Sequence, residues 1–158
     1  EYPKLMLRLI GHNPHMYPLE QKVMAMGLQN NVEITGTVKY EAIPRLLLEC
    51  DTLLMNRDAS IFSTYGYPIK LGEYFACKKP VIMSDGKGFA EDFEARNQVY
   101  KYEVDNAASL ADAIRYRYAH VGESDAVAIR GYQYAKDHFD GEKLGLFLHN
   151  ILKEKCKK

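Results

Sequence analysis

Tyr65-Gly-Tyr-Pro-Ile-Lys-Leu-Gly-Glu-Tyr-Phe-Ala-Cys-Lys-Lys-Pro-Val-Ile-Met-Ser-Asp85 holds a loop, a short helix and a buried strand in quick succession. Pro68 suits the first turn of a helix, where its missing N–H costs nothing. From Ile69 to Cys77 the chain can wind for about two turns. Lys78 and Lys79 stand at the C-terminal end, where cations complement the helix dipole, and Pro80 stops the helix. Val81-Ile82-Met83 is a short apolar run suited to a strand buried on both faces of a parallel sheet.

Two charges in this stretch stand out. Lys70 falls in the first helical turn, the positive end, where a cation is mildly unfavourable. Glu73 lies three residues on, so both side chains can project from one face near the helix start. With Gly66 and Gly72 close by, a phosphate or sugar can approach the backbone there. The residues alone equally allow a solvated Lys–Glu pair worth a few tenths of a kcal/mol.

Working outward, strands alternate with helices. Strands are predicted at 4–10, 32–35, 51–55, 80–84 and 98–102. Helices are expected at 19–26, at 41–49 with Pro44 in its first turn, at 89–95, from Ser109 onward with a capping-box-like start, and at 123–138. Leu144, Phe147, Leu148, Ile151 and Leu152 form an amphipathic stripe for a last helix. Alternation of this kind demands right-handed crossover connections and a parallel sheet covered on both faces. The expected architecture is α/β, one Rossmann-like, doubly wound domain over residues 1–158. Such sheets bind ligands at the carboxyl ends of their strands. The loops that qualify are Gly11–His15, Gly36–Tyr40, Asn56–Tyr67 and Ser84–Gly88.

The 158 residues suffice for one domain that buries roughly 70% of its unfolded surface. The 21 basic residues balance 21 acidic ones, which argues against nucleic-acid binding. Cys50, Cys77 and Cys156 are scattered and lack metal-ligand spacing, so reduced thiols and a cytoplasmic location are expected. Nothing approaches the roughly 18 apolar residues of a membrane helix, and the lysine-rich tail allows at most peripheral contact with the inner face of a membrane. No Gly-x-Gly-x-x-Gly or phosphate-loop lysine pattern points to NAD or ATP, and no Asp-x-Asp pair points to a metal. Chain order offers no Ser-His-Asp or Cys-His arrangement. His12 and His15 read as loop residues and His138 and His149 as structural.

Pro68-Ile-Lys-Leu-Gly-Glu-Tyr-Phe-Ala-Cys-Lys-Lys-Pro-Val resembles the signature of group 1 glycosyltransferases, a retaining family with the GT-B fold. Lys78 stands where that pattern usually has glycine. Leu9-Ile-Gly, Gly27-Leu with Val32 and Thr35-Gly36, and Cys50-Asp-Thr-Leu-Leu-Met-Asn56 follow the family's order, so the resemblance covers essentially the whole chain. It implies the C-terminal, nucleotide-sugar-binding half of a GT-B enzyme. The acceptor domain and the first strand–helix unit are then expected outside these residues, and this portion alone is expected to be inactive. The matching glutamate for the donor's ribose hydroxyls is Glu73. The family's other donor glutamate falls at Tyr65, which departs from the pattern. Gly66, Tyr67 and Ile69 would offer backbone N–H groups to phosphates or sugar beside Pro68, and Lys70 would assist. The backbone near Val38 would read the base, with Gly11 in a neighbouring loop.

No resident cofactor or metal is implied; the donor would be a UDP- or GDP-linked sugar. The expected role is glycosyl transfer to a saccharide or lipid-linked acceptor in surface polysaccharide or glycoconjugate assembly, and no catalytic residue is assigned. The alternatives are a sugar-nucleotide epimerase of the same fold and a non-catalytic α/β nucleotide-binding domain. A response-regulator-like domain would need an acidic cluster after the first strand, where Gly11-His12-Asn13 offers none.

Overall fold

In the computed structural model, which describes residues 2–12, 18–60, 66, 68–95, 97–143, 145, 146, 149 and 153, the run after Pro80 becomes the middle strand of a three-stranded sheet. This strand, β4 (Val81–Asp85), pairs in parallel with β3 (Leu53–Met55) on one side and β5 (Tyr100–Glu103) on the other. Val81, Ile82, Met83 and Ser84 are all buried, as expected of a parallel strand flanked on both sides. The register sets Ile82 opposite both Leu54 and Tyr100, so these three share a face, while Leu53, Met55, Val81 and Met83 point the other way.

Helices from the same part of the chain cover this sheet. They are α3 (Ile69–Ala76), α4 (Ala107–Ala119) and α5 (Val121–His138). Ile82, Tyr100, Tyr102, Ala113 and Val127 form one core cluster, with Leu54, Leu110, Ile114 and Tyr116 packed around it. A second cluster is aromatic. Phe75 of α3 meets the rings of Phe93 and Tyr134 at centroid distances of 5.8 and 6.1 Å, and Phe93 and Tyr134 are 4.9 Å apart. Gly131 makes the approach of α3 and α5 possible, since a Cβ there would stand 2.6 Å from the Phe75 ring.

The chain divides into two compact units, residues 1–45 and 46–158. In the first, β1 (Leu7–Ile10) pairs in parallel with β2 (Val32–Gly36), and α1 (Leu19–Ala25) lies between them in sequence. Arg8 and Glu33, cross-strand partners, form an exposed ion pair at 2.7 Å. Asn31 Nδ2 donates to the Pro3 and Leu5 carbonyls at 3.0 and 2.9 Å, fixing the chain that enters β1. A 3-10 turn at Tyr40–Ala42 and then α2 (Ile43–Leu48) lead from one unit into the next.

Among the described residues every strand pairing is parallel, in keeping with the crossover architecture expected from the alternation, and the strands form two sheets, of two and three strands. Boundaries differ for local reasons. The first strand begins at Leu7, because a turn closed by the Leu5 N–H on the Tyr2 carbonyl (3.0 Å) occupies the residues before it. The third begins at Leu53 rather than 51, after a bend in which Arg117 takes the Asp51 carbonyl at 2.8 Å. The segment expected to be helical at 89–95 is a 3-10 turn, Gly88–Asp92. The helix expected to open at Ser109 starts at Ala107. Its N-cap is Asn106, whose side chain accepts from the Ser109 N–H at 3.0 Å, while Ser109 Oγ accepts from the Glu103 N–H. The expected stripe of Leu144, Phe147, Leu148, Ile151 and Leu152 lies outside the described residues.

Candidate functional site

Because β3, β4 and β5 run parallel, their carboxyl ends emerge on one edge of the sheet, and side chains tie that edge together. Tyr102 donates its phenol hydrogen to Asn56 Oδ1. Burial pushes the Tyr102 phenol up in pKa, and a hydrogen bond with Ser84 opposes that rise. Ser84, only 3% exposed at the end of an apolar strand, accepts from the Arg57 N–H at 3.1 Å. The ends of three strands thus share one polar network. From it the Arg57 side chain reaches forward, and its Nη1 donates to the Gly66 carbonyl at 2.7 Å.

Two residues beyond Gly66, the chain enters α3. Pro68 is its N-cap, buried, and offers no side chain to cap the helix. Its carbonyl accepts from the Leu71 N–H at 2.9 Å. Among the described residues no side chain caps this start, and the positive end of the helix dipole there favours an anion. Ile69 is 80% exposed there, a large apolar side chain held in solvent at the helix start. Lys70 is exposed and Glu73 half-buried, and among the described residues no ion pair joins them. On the following residue of the helix, burial raises the Tyr74 phenol, helped by the neighbouring charge of Glu73. Gly72 leaves room for Phe139, whose ring would lie 3.0 Å from an added Cβ.

The other nominated residues divide between the unit of residues 1–45 and the undescribed positions. Gly11 follows β1 with φ +135° and donates its N–H to the Gly36 carbonyl at 3.1 Å; Gly36 itself has φ +66°. Val38, half-buried, comes two residues after β2 ends. Gly11 and Val38 therefore both follow carboxyl ends of the parallel pair β1–β2. His12 is exposed in the same loop as Gly11. Tyr65 and Tyr67 lie outside the described residues, as does His15.

Gly66, Pro68, Ile69, Lys70 and Glu73 thus gather around one helix start. Sequence reasoning missed Asn56, Arg57, Ser84 and Tyr102 as individuals, although two of the nominated loops begin at Asn56 and Ser84. A serine directly after the apolar run Val81–Met83 was the available signal. Among the described residues no three His, Cys, Asp or Glu side chains gather as a metal site would require. No helix among them is long and apolar enough to cross a membrane.

Comparison with known proteins gives this geometry a family. Residues 1–128 match the family described as glycosyl transferases group 1. The chain belongs to that family. No curated protein sequence matches the chain. Among solved structures, the fold is similar to that of Anabaena HepE in complex with UDP-glucose, with TM-score 0.82 at 22% identity over 96% of this chain. It is similar to sucrose-phosphate synthase from Thermosynechococcus elongatus, with TM-score 0.78 and 19% identity over 96% of this chain. The C-terminal domain of a group 1 family glycosyl transferase, LpcC, from Francisella tularensis gives TM-score 0.71 and 20% identity over 88% of this chain and 72% of its own. The chain spans 42% of the HepE chain and 39% of the synthase.

Proposed function

We propose, from membership in group 1 of the glycosyl transferases, that these residues are the nucleotide-sugar-binding domain of a glycosyltransferase. In this reading residues 1–158 act as one donor domain, and the acceptor is held by a domain outside them. The enzyme transfers a glycosyl group from a UDP- or GDP-linked sugar, with retention, to a saccharide or lipid-linked acceptor in surface polysaccharide or glycoconjugate assembly. Transfer takes place on the cytoplasmic side, with at most peripheral membrane contact. The observation that carries the reading is the uncapped start of α3, beside the carboxyl edge of a parallel sheet, within the family match. HepE, similar in fold, was solved with UDP-glucose, which supports a nucleotide-sugar as the ligand class.

Each residue then has a physical task. The Glu73 carboxylate accepts hydrogen bonds from two adjacent ribose hydroxyls, bonds worth roughly 1.5–3 kcal/mol each when the acceptor is charged. Backbone N–H groups of Gly66, Tyr67 and Ile69 meet the phosphates or sugar, and the helix dipole stabilises charge that grows on the departing diphosphate. Lys70 adds a cation to the same end. Tyr65 stands near the sugar in place of the family's glutamate. Val38 contacts the base through its backbone, beside the Gly11 loop. No metal enters this scheme.

Titration of the intact protein with UDP, GDP and ADP, each with and without EDTA, tests it. We expect UDP or GDP to bind better than ADP, with affinity unchanged by EDTA. Absence of binding by both UDP and GDP, or strict dependence on magnesium or manganese, would contradict the reading.

A further inference from the structure

We infer that Arg57 is a positioning residue for the donor site, clamping the chain that enters α3 at the Gly66 carbonyl. The inference rests on the reading of α3 as the donor helix and names what aims it. Asn56 and Arg57 are the first residues beyond β3, and both are fixed to neighbouring strands. Asn56 accepts from Tyr102 on β5, and the Arg57 N–H is bonded to Ser84 on β4 at 3.1 Å. Ser84 and Tyr102 are both buried, so this anchor belongs to the core of the sheet rather than to a surface loop.

From that anchor the guanidinium spans nine residues of sequence to reach Gly66, at 2.7 Å. A bond from a cation to a carbonyl is stronger than a neutral one, and the planar guanidinium fixes its direction. Only residues 67 and 68 separate Gly66 from the first residue of α3, and Pro68 is buried with its φ fixed by its ring. The clamp therefore sets the position of the helix start relative to the strand ends. Arg57 acts through the Gly66 backbone and has no contact with the nucleotide in this scheme. Lysine cannot replace it fully, because an ammonium on a flexible stem does not fix direction.

The test measures UDP and GDP affinity by calorimetry on the intact wild-type protein and on its Arg57→Met, Arg57→Lys and Glu73→Ala variants. Arg57→Met is expected to raise Kd about tenfold, equivalent to about 1.4 kcal/mol. Added guanidinium ion should restore much of that affinity and leave wild type and Glu73→Ala unchanged, a rescue that a purely structural defect would not show. Arg57→Lys keeps the charge and stem; it should lose a few-fold in affinity with little change in thermal midpoint, and it serves if the methionine variant folds poorly. Wild-type affinity in both Arg57 variants, or a loss that guanidinium leaves untouched, would overturn the inference. If Glu73→Ala binds as wild type, or if neither nucleotide binds wild type, the donor-helix reading itself falls.

Discussion

Residues 46–158 and residues 1–45 obey the same parallel strand logic, yet they bury their side chains very differently. In the larger unit β4 is covered on both faces, and Leu71, Phe75, Val81, Phe93, Val99 and Val127 are almost wholly inaccessible. In the smaller unit no described residue is buried, and Tyr2, Met6, Leu7, Met24, Met26 and Tyr40 are largely exposed. Pairing of strands therefore does not imply a core. A two-stranded sheet has little apolar surface to share, and isolated pairs are marginal in water. The buried apolar side chains of the described residues lie in the larger unit.

The largest expected effect probes that contrast directly. Phe75→Ala should cost about 3–5 kcal/mol, the range for removing a buried aromatic ring. Ile34→Ala, in half-buried β2, should cost well under half as much. Equilibrium denaturation of both variants decides, and equal losses would break the comparison.

Gly131→Ala comes next. Its Cβ would meet Phe75 at 2.6 Å, an overlap costing about 1–3 kcal/mol. In a Phe75→Ala background the same change should cost less, because the ring it collides with is gone and only the Gln98 carbonyl, at 3.3 Å, remains close. A double-mutant cycle with no coupling would show that the α3–α5 approach is set by something other than these two residues.

Alkaline pH sharpens the contrast further. Tyr74, Tyr100, Tyr102 and Tyr134 all lie in residues 46–158, and burial is the leading cause that pushes each phenol above 10.0. A raised folded pKa means that the native state holds its proton more tightly. The associated stability is complete below the unfolded value and is lost as pH rises through the folded ones. Denaturation midpoints should thus fall above pH ~10, together with the appearance of tyrosinate absorbance. Ionisation of all tyrosines at the unfolded value with no loss of structure would contradict it.

A smaller effect is expected at Lys78, which adopts φ 51° where the family pattern has glycine. Relief of left-handed strain would stabilise Lys78→Gly by about 1 kcal/mol. Loss of the ammonium from above the Tyr132 ring, 4.3 Å from its centroid, removes about 0.5–1 kcal/mol. Thermal stability should therefore change by no more than about 0.5 kcal/mol. A larger gain would show that the cation–π contact contributes little.

Much of this was legible in the sequence for identifiable reasons. The Val81–Met83 run and Pro80 marked β4 because burial on both faces leaves no polar alternation to misread. Pro68 at one end and Lys78-Lys79-Pro80 at the other located α3 to within one residue. Helix starts governed by side-chain competition were less legible: Asn106 and Ser109 can each cap a helix, and Asn106, which follows Asp105 at φ 57°, is the cap. Arg57 was illegible because its role depends on a contact nine residues away and on a serine from a different strand. The lack of burial in residues 1–45 was hidden as well, since their apolar pattern resembles that of the well-covered strands.

The account stands or falls on Glu73 and the ribose. The direct measurement is a four-way comparison in the intact protein: wild type and Glu73→Ala, each titrated with the better-bound of UDP and GDP and with its 2′,3′-dideoxy analogue. In wild type, removing the hydroxyls should weaken binding at least about tenfold. In Glu73→Ala the same removal should cost almost nothing. An equal penalty for the dideoxy nucleotide in both proteins would show that the carboxylate does not touch the ribose, and would contradict the assignment of α3 as the donor helix.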